Sequence, residues 1–198
     1  MTRGRLEAFS DGVIAIVITI MVLEMKVPHG TDLAALRPVW PVLFSYVLSF
    51  IYLGIYWNNH HHLFQAVRRV SGPILWANLH LLFWLSLIPF VTGWMGENHF
   101  ARLPVALYGV VLLCAAGAYY VLTIALVAQR GLSPEVSQAL RNELKERVSI
   151  ALYVAGIALA WVAPWGACAM YVIVAILWLI PDRRIERTLG AHAAERAE

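Results

Sequence analysis

The residues with the clearest chemical potential lie in the first 24 positions. Arg5, Ser10 and Asp11 bring a cation, a hydroxyl and a carboxylate to one end of an apolar run, and Glu24 closes its other end. Within the run, Thr19 sets one hydroxyl beside Ile16, Ile20 and Leu23, whose spacings of four and three put them on one helical face. A branched aliphatic face with one hydroxyl has two readings. It can be a packing surface, with the threonine bonded to the carbonyl four residues back. It can also be a pore lining, in which apolar rings form a gate that excludes water and hydroxyl oxygens receive a partly dehydrated cation. Periodicity alone does not choose between them.

The element that must carry these groups is short. Between Asp11 and Glu24 stand twelve uncharged residues, which at roughly 1.5 Å each cover about 18 Å of a hydrocarbon core roughly 30 Å thick. If this helix crosses a bilayer it holds at least one carboxylate at membrane depth, where a charge persists only against protein or water. The first helix is therefore expected to face protein or a pore rather than lipid on all sides.

The rest of the chain is apolar enough to supply that setting. Of 198 residues, 61% are hydrophobic and 14% charged, with a mean hydropathy of +0.69, which excludes an ordinary soluble domain of this size. Six apolar segments are expected, over 4–26, 38–67, 72–96, 101–129, 146–164 and 166–181, with a tail at 182–198. The fold class that follows is an all-α membrane protein, one six-helix transmembrane domain over 1–198. Pro38 and Pro73 suit first helical turns, Ser71 suits a cap, and Pro164 separates the last two segments into a hairpin. Leu132, Val136, Leu140 and Leu144 form an apolar stripe with two readings, a cytoplasmic extension of the fifth span near the headgroups or a plain solvated helix end.

Charge sets the orientation. The N-terminus (Arg3, Arg5), the second connection (Arg68, Arg69), the fourth (Arg130, Arg141, Lys145, Arg147) and the tail hold twelve of the 15 Lys and Arg. By the positive-inside rule both termini are cytoplasmic, in a multi-pass protein of a cell membrane. The same distribution explains the basic pI without nucleic acid. Arg3 and Arg5 before an apolar run imitate a secretory signal, but Asp11 breaks that pattern and a retained span is expected. Cys114 and Cys168 lie inside apolar runs and propose no disulfide framework.

Strongly polar side chains interrupt two of the spans. The second carries Trp57, Asn58, Asn59, His60, His61 and His62, and the third carries Trp76, Asn78 and His80. Such groups are costly at membrane depth without partners. Ser10 and Asp11, at a similar depth, are the natural ones, with Arg5 offsetting the carboxylate. Consecutive histidines point about 100° apart on a helix, so His60, His61 and His62 do not converge on one metal ion. His62 and His80 have no role that the sequence defines.

Arg5-x-x-x-Phe9-Ser10-Asp11, followed by Gly-Val-x-Ala-Ile-x-x-Thr and Leu-Glu, resembles the first-helix signature of the transmembrane protein 175 family of potassium channels. Trp57 with His60 and His61, and Trp76-x-Asn78-Leu with Pro89-Phe90, are also similar to that family, more loosely. The resemblance, to the family's prokaryotic six-helix form, implies a homotetramer in a prokaryotic cell membrane with the first helix lining a central pore. In it Ile16, Ile20 and Leu23 are the hydrophobic gate and Thr19 the layer linked to potassium preference. Arg5, Phe9, Ser10 and Asp11 are the structural signature, which Trp57, His60, His61, Trp76 and Asn78 buttress. The chain holds one copy of the signature and no internal repeat, so a pore needs several chains. The partners implied are further copies, the bilayer, and potassium with other monovalent cations, and no cofactor beyond the permeant ions.

Other functions find less support. No HExxH, GxSxG, Walker or dinucleotide motif occurs, and the chain reads as a non-enzyme. A proton-coupled transporter using Asp11 and the His60/His61 region is the alternative, against which stand the absence of an inverted repeat and of a proline between Phe9 and Val27. A membrane assembly protein that conducts nothing is a third reading. Thr92-Gly-Trp-Met-Gly96 only loosely resembles a carbonyl filter and reads as a helix-end turn. Potassium preference through hydroxyls alone is expected to be modest.

Overall fold

A computed structural model of the chain describes residues 2–65, 70–128 and 143–179, and every regular element among them is helical. The helices are α1 (Arg3–Leu23), α2 (Trp40–Gln65), α3 (Gly72–Ser86), α4 (Ile88–Glu97), α5 (Arg102–Val127), α6 (Glu143–Leu159) and α7 (Pro164–Leu179). A 3-10 turn over Leu33–Val39 leads into α2 and contains Pro38, which therefore sits ahead of the α-helix rather than in its first turn. Pro73 lies in the first turn of α3, and Ser71 occupies the cap position without making a side-chain capping bond. By length and composition, Arg3–Leu23, Leu33–Gln65, Gly72–Glu97 and Arg102–Val127 can each cross a bilayer, and Pro164–Leu179 is a shorter apolar helix. The stripe over residues 132–144 lies mostly outside the described residues, as do Arg68, Arg69 and the tail.

The third apolar run is divided. Pro89 lacks an amide hydrogen, and its ring collides with the carbonyl four residues back, so an α-helical ladder cannot pass through it unbroken. Leu87 N turns to Trp84 O, three residues back, at 3.2 Å, and the four-residue pattern resumes when Val91 N meets Leu87 O at 3.2 Å. The segment read as one span over 72–96 is thus α3 and α4 joined at Leu87. Beyond α4, His99 and Phe100 take positive φ values of 50° and 58°. That turn drives the Phe100 ring against Trp165, with centroids 4.6 Å apart.

Against α5 pack α3, α4, α6 and α7, and α1 packs on α2, α3 and α4. Without a hydrophobic drive between helices in lipid, close approach of backbones matters most, and small residues permit it. Ala106, Gly109, Ala115 and Ala118 are buried on α5 for that reason. At Gly156 a Cβ would stand 2.6 Å from a ring carbon of Tyr171, so the missing side chain is the space the tyrosine fills. Ser49 Oγ lies 2.6 Å from Thr92 Oγ1 and 3.0 Å from Tyr108 Oη, tying α2, α4 and α5 through hydroxyls that hydrocarbon would leave unsatisfied.

Candidate functional site

Two faces of α1 meet different surroundings. Leu6, Ser10, Ile14, Val17 and Met21, spaced by three and four, are buried within the subunit. Ile16, Thr19, Ile20 and Leu23 remain outside it, with Ile16 60% and Leu23 76% exposed. The ridge is therefore not part of its own subunit's packing. Thr19 Oγ1 donates to Ala15 O at 2.8 Å. Its proton is committed to the backbone, and the lone pairs are what the hydroxyl can offer to anything beyond the helix.

Behind the ridge a chain of hydrogen bonds pins three helices at one level. Ser10 Oγ donates to Leu6 O at 2.9 Å and accepts from Asn78 Nδ2 at 2.9 Å. His60 Nε2 donates to Asn78 Oδ1 at 2.8 Å, which fixes the tautomer, because an amide oxygen can only accept. Ser10, His60 and Asn78 are all buried, so α1, α2 and α3 are joined through bonds that water cannot replace. Beside them Trp57 Nε1 donates to Asp11 Oδ1 at 3.0 Å at the exposed edge. The Asp11 carboxylate is thus held by an indole donor from α2.

Other polar groups lie outside this chain. His61 accepts from Gln65 Nε2 at 2.8 Å, so His60 and His61 serve different partners. His80 accepts from Trp84 Nε1 at 3.0 Å. Arg5, Phe9 and Trp76 are exposed. No ion pair joins Arg5 to Asp11 among the described residues, where the pairs are Arg3 to Glu7 at 3.1 Å and Lys26 to Glu97 at 3.0 Å. Glu7, which no motif marks, has its Oε1 buried without a hydrogen-bond partner. Its signal was the four-residue spacing of Arg3, Glu7 and Asp11, which stacks them on one face.

Towards Glu24, α1 is flanked by grooves. One of about 340 Å³ runs between α1 and α4, lined by Ile16, Ile20, Pro89 and Phe90. A second of about 410 Å³ shares Glu24 and reaches Tyr46, Thr92 and Glu97. An aliphatic ridge thus leads from the Ser10 chain to a groove walled by Glu24 and by Glu97, the latter paired with Lys26.

Helices of this length and apolarity, joined inside by hydroxyl and amide bonds and apolar outside, define an all-helical, multi-pass membrane protein. A family model described as endosomal/lysosomal potassium channel TMEM175 matches residues 5–89. A potassium channel from Chryseobacterium sp. (strain P1-3) is 56% identical over 96% of this chain and 98% of its own length. One from Chamaesiphon minutus is 30% identical over 89% of this chain and 93% of its own. The crystal structure of a lysosomal potassium-selective channel TMEM175 homolog from Chamaesiphon minutus superposes with a TM-score of 0.79 at 29% identity, covering 90% of this chain and 96% of that one. The chain belongs to the TMEM175 family, a family of ion channels and not of enzymes.

Proposed function

We propose that the chain forms a homotetramer in a cell membrane, both termini cytoplasmic, and conducts monovalent cations through a central pore lined by α1. In this reading potassium is preferred over sodium, and no cofactor is needed beyond the permeant ions. The observation that carries it is the freedom of Ile16, Thr19, Ile20 and Leu23 from their own subunit, while the opposite face of α1 is buried. Four such ridges about an axis make rings of aliphatic side chains, interrupted by one ring of hydroxyl oxygens.

The physics of each ring follows from its chemistry. At Ile16, Ile20 and Leu23 a dry neck strips a cation of hydration worth several kcal/mol, and each 1.4 kcal/mol lowers occupancy about tenfold. Slight widening or rotation wets the neck and opens it. At Thr19 the lone pairs left by the bond to Ala15 O replace part of the hydration shell. Potassium holds its water less tightly than sodium, so a partial replacement favours it modestly. The buried chain through Ser10, Asn78 and His60, with Trp57 on Asp11, holds the base of α1 against α2 and α3 and so fixes the ridge's heading.

The test is Ile16→Asn in liposomes. An amide ring wets the neck, and resting potassium flux is expected to rise several-fold or more. Flux unchanged from the wild type removes Ile16 from the gate.

A further inference from the structure

Three connections lie at the Glu24 end of the bundle, set beside one another by the Lys26–Glu97 pair and by the contact of Phe100 with Trp165. Two of them are polar. Residues 24–32 include Glu24, Lys26, His29 and Asp32, and residues 97–102 include Glu97, Asn98, His99 and Arg102. The third, between α6 and α7, reads Ala160-Trp-Val-Ala-Pro-Trp165, and from Ile150 to Ile180 the chain carries no charge, side-chain amide, aliphatic hydroxyl or imidazole. This turn is nevertheless not packed away: Trp161 is 52%, Val162 75% and Trp165 65% exposed. Connections are ordinarily surface segments whose backbone meets water. Here the turn answers its own amides, with Trp161 N on Ala158 O at 3.4 Å, and Val162 N and Ala163 N on Leu159 O at 3.1 and 2.8 Å. Pro164 brings no amide hydrogen at all.

We propose that the α6–α7 turn is a lipid-docking surface, seated at the boundary of headgroups and acyl chains, which does not emerge into water. Its occupant is phospholipid, and length, donors and backbone each select it. α7 has 16 residues, about 24 Å at 1.5 Å each, against a hydrocarbon core roughly 30 Å thick. Charged Asp182, Arg183 and Arg184 follow its far end in sequence, so the shortfall falls at the turn. Among the described residues the indoles that donate within the protein are those of Trp57, Trp84 and Trp178. The N–H groups of Trp161 and Trp165 have no such acceptor, and an apolar ring with a free donor suits the layer of ester and phosphate oxygens. The self-satisfied backbone removes the need for water that would draw the turn outward. Because the Trp165 ring lies on Phe100, lipid at the turn also bears on the connection between α4 and α5. The proposal rests on the chain being a multi-pass membrane protein and is independent of where its pore lies.

The experiment uses the full chain in phospholipid liposomes, with Cys114→Ala and Cys168→Ala and one nitroxide-labelled cysteine at a time. Collisions of the label are measured with molecular oxygen, which concentrates in the bilayer, and with a neutral, water-soluble nickel chelate present on both faces. At Val162→Cys oxygen is expected to exceed nickel several-fold. At Thr31→Cys, exposed in the connection between α1 and α2, the order should reverse. Should the label at residue 162 disturb assembly, Ala163→Cys reports on the same exposed surface with the same expectation. Nickel in excess at the turn means that it stands in water, and overturns the proposal. Few collisions with either reagent mean that protein, such as a second copy of the chain, covers it, and overturn the proposal equally.

Discussion

At the scale of single residues, the chain through His60, Asn78 and Ser10 is the most consequential arrangement in the subunit. Each member is buried, and Asn78 alone contacts both of the others. Asn78→Ala strands the Nε2 hydrogen of His60, and a buried orphan donor costs about 1–3 kcal/mol. The expected result is a lower unfolding midpoint of the purified protein, with Trp57→Phe, at the exposed edge, costing less. Equal midpoints for wild type and Asn78→Ala would mean that water enters the site freely. Thr19 is tested differently, because its hydroxyl serves α1 only through Ala15 O. Thr19→Val keeps the shape and removes the lone pairs. Conduction should persist while the potassium-to-sodium reversal potential under biionic conditions moves towards zero, and an unaltered potential takes the hydroxyl out of selectivity.

At the scale of elements, helix contacts are set by what is missing as much as by what is present. A Cβ on Gly96 would stand 2.5 Å from Ser45 Oγ and 2.7 Å from Val42 Cα, so α4 lies directly on the start of α2. Gly96→Ala must push these helices apart, at about 1–3 kcal/mol. Gly54→Ala, where nothing stands within 4 Å, should leave the unfolding midpoint unchanged. A Gly96→Ala protein as stable as the wild type would show that the α2–α4 contact yields. Such contacts are invisible in sequence, since no periodicity tells which glycine meets a neighbour. The all-helical class was legible because apolar runs of this length leave a backbone no other way to satisfy itself in lipid. That polar side chains of α2 and α3 would find partners in Ser10 and Asp11 was legible too. The particular pairs were not: which of three adjacent histidines reaches Asn78 depends on the rotation of α2 about its axis. The division at Leu87 had a local signal in Pro89 that hydropathy alone overrides. Arg5 drew attention by proximity to Asp11 in sequence, whereas the ion pair at that end belongs to Arg3 and Glu7.

At the scale of the whole molecule, the question is what covers the Ile16–Leu23 ridge. One subunit contributes one α1 and cannot enclose a path, so either copies meet there or lipid does. Lipid is a poor answer for a helix whose apolar stretch is short and which carries a carboxylate at each end of it. A closed ring of copies turns the same ridge inward and leaves Asp11 and Glu24 near water or protein. Leu23, 76% exposed at the last turn of α1, reports on this directly. With Cys114 and Cys168 replaced by alanine, Leu23→Cys should form disulfide-linked dimers under mild oxidant in membranes, because linkage demands Cα atoms within about 4.4–6.8 Å. Val172→Cys, exposed on α7, should stay monomeric under the same treatment. Dimers are the expected limit even in a tetramer, since each thiol pairs once. Linkage at Val172 with none at Leu23 would place the contact between copies on the outer helices. The aliphatic ridge would then face lipid, and the pore, its gate and its hydroxyl ring would lose the geometry they require.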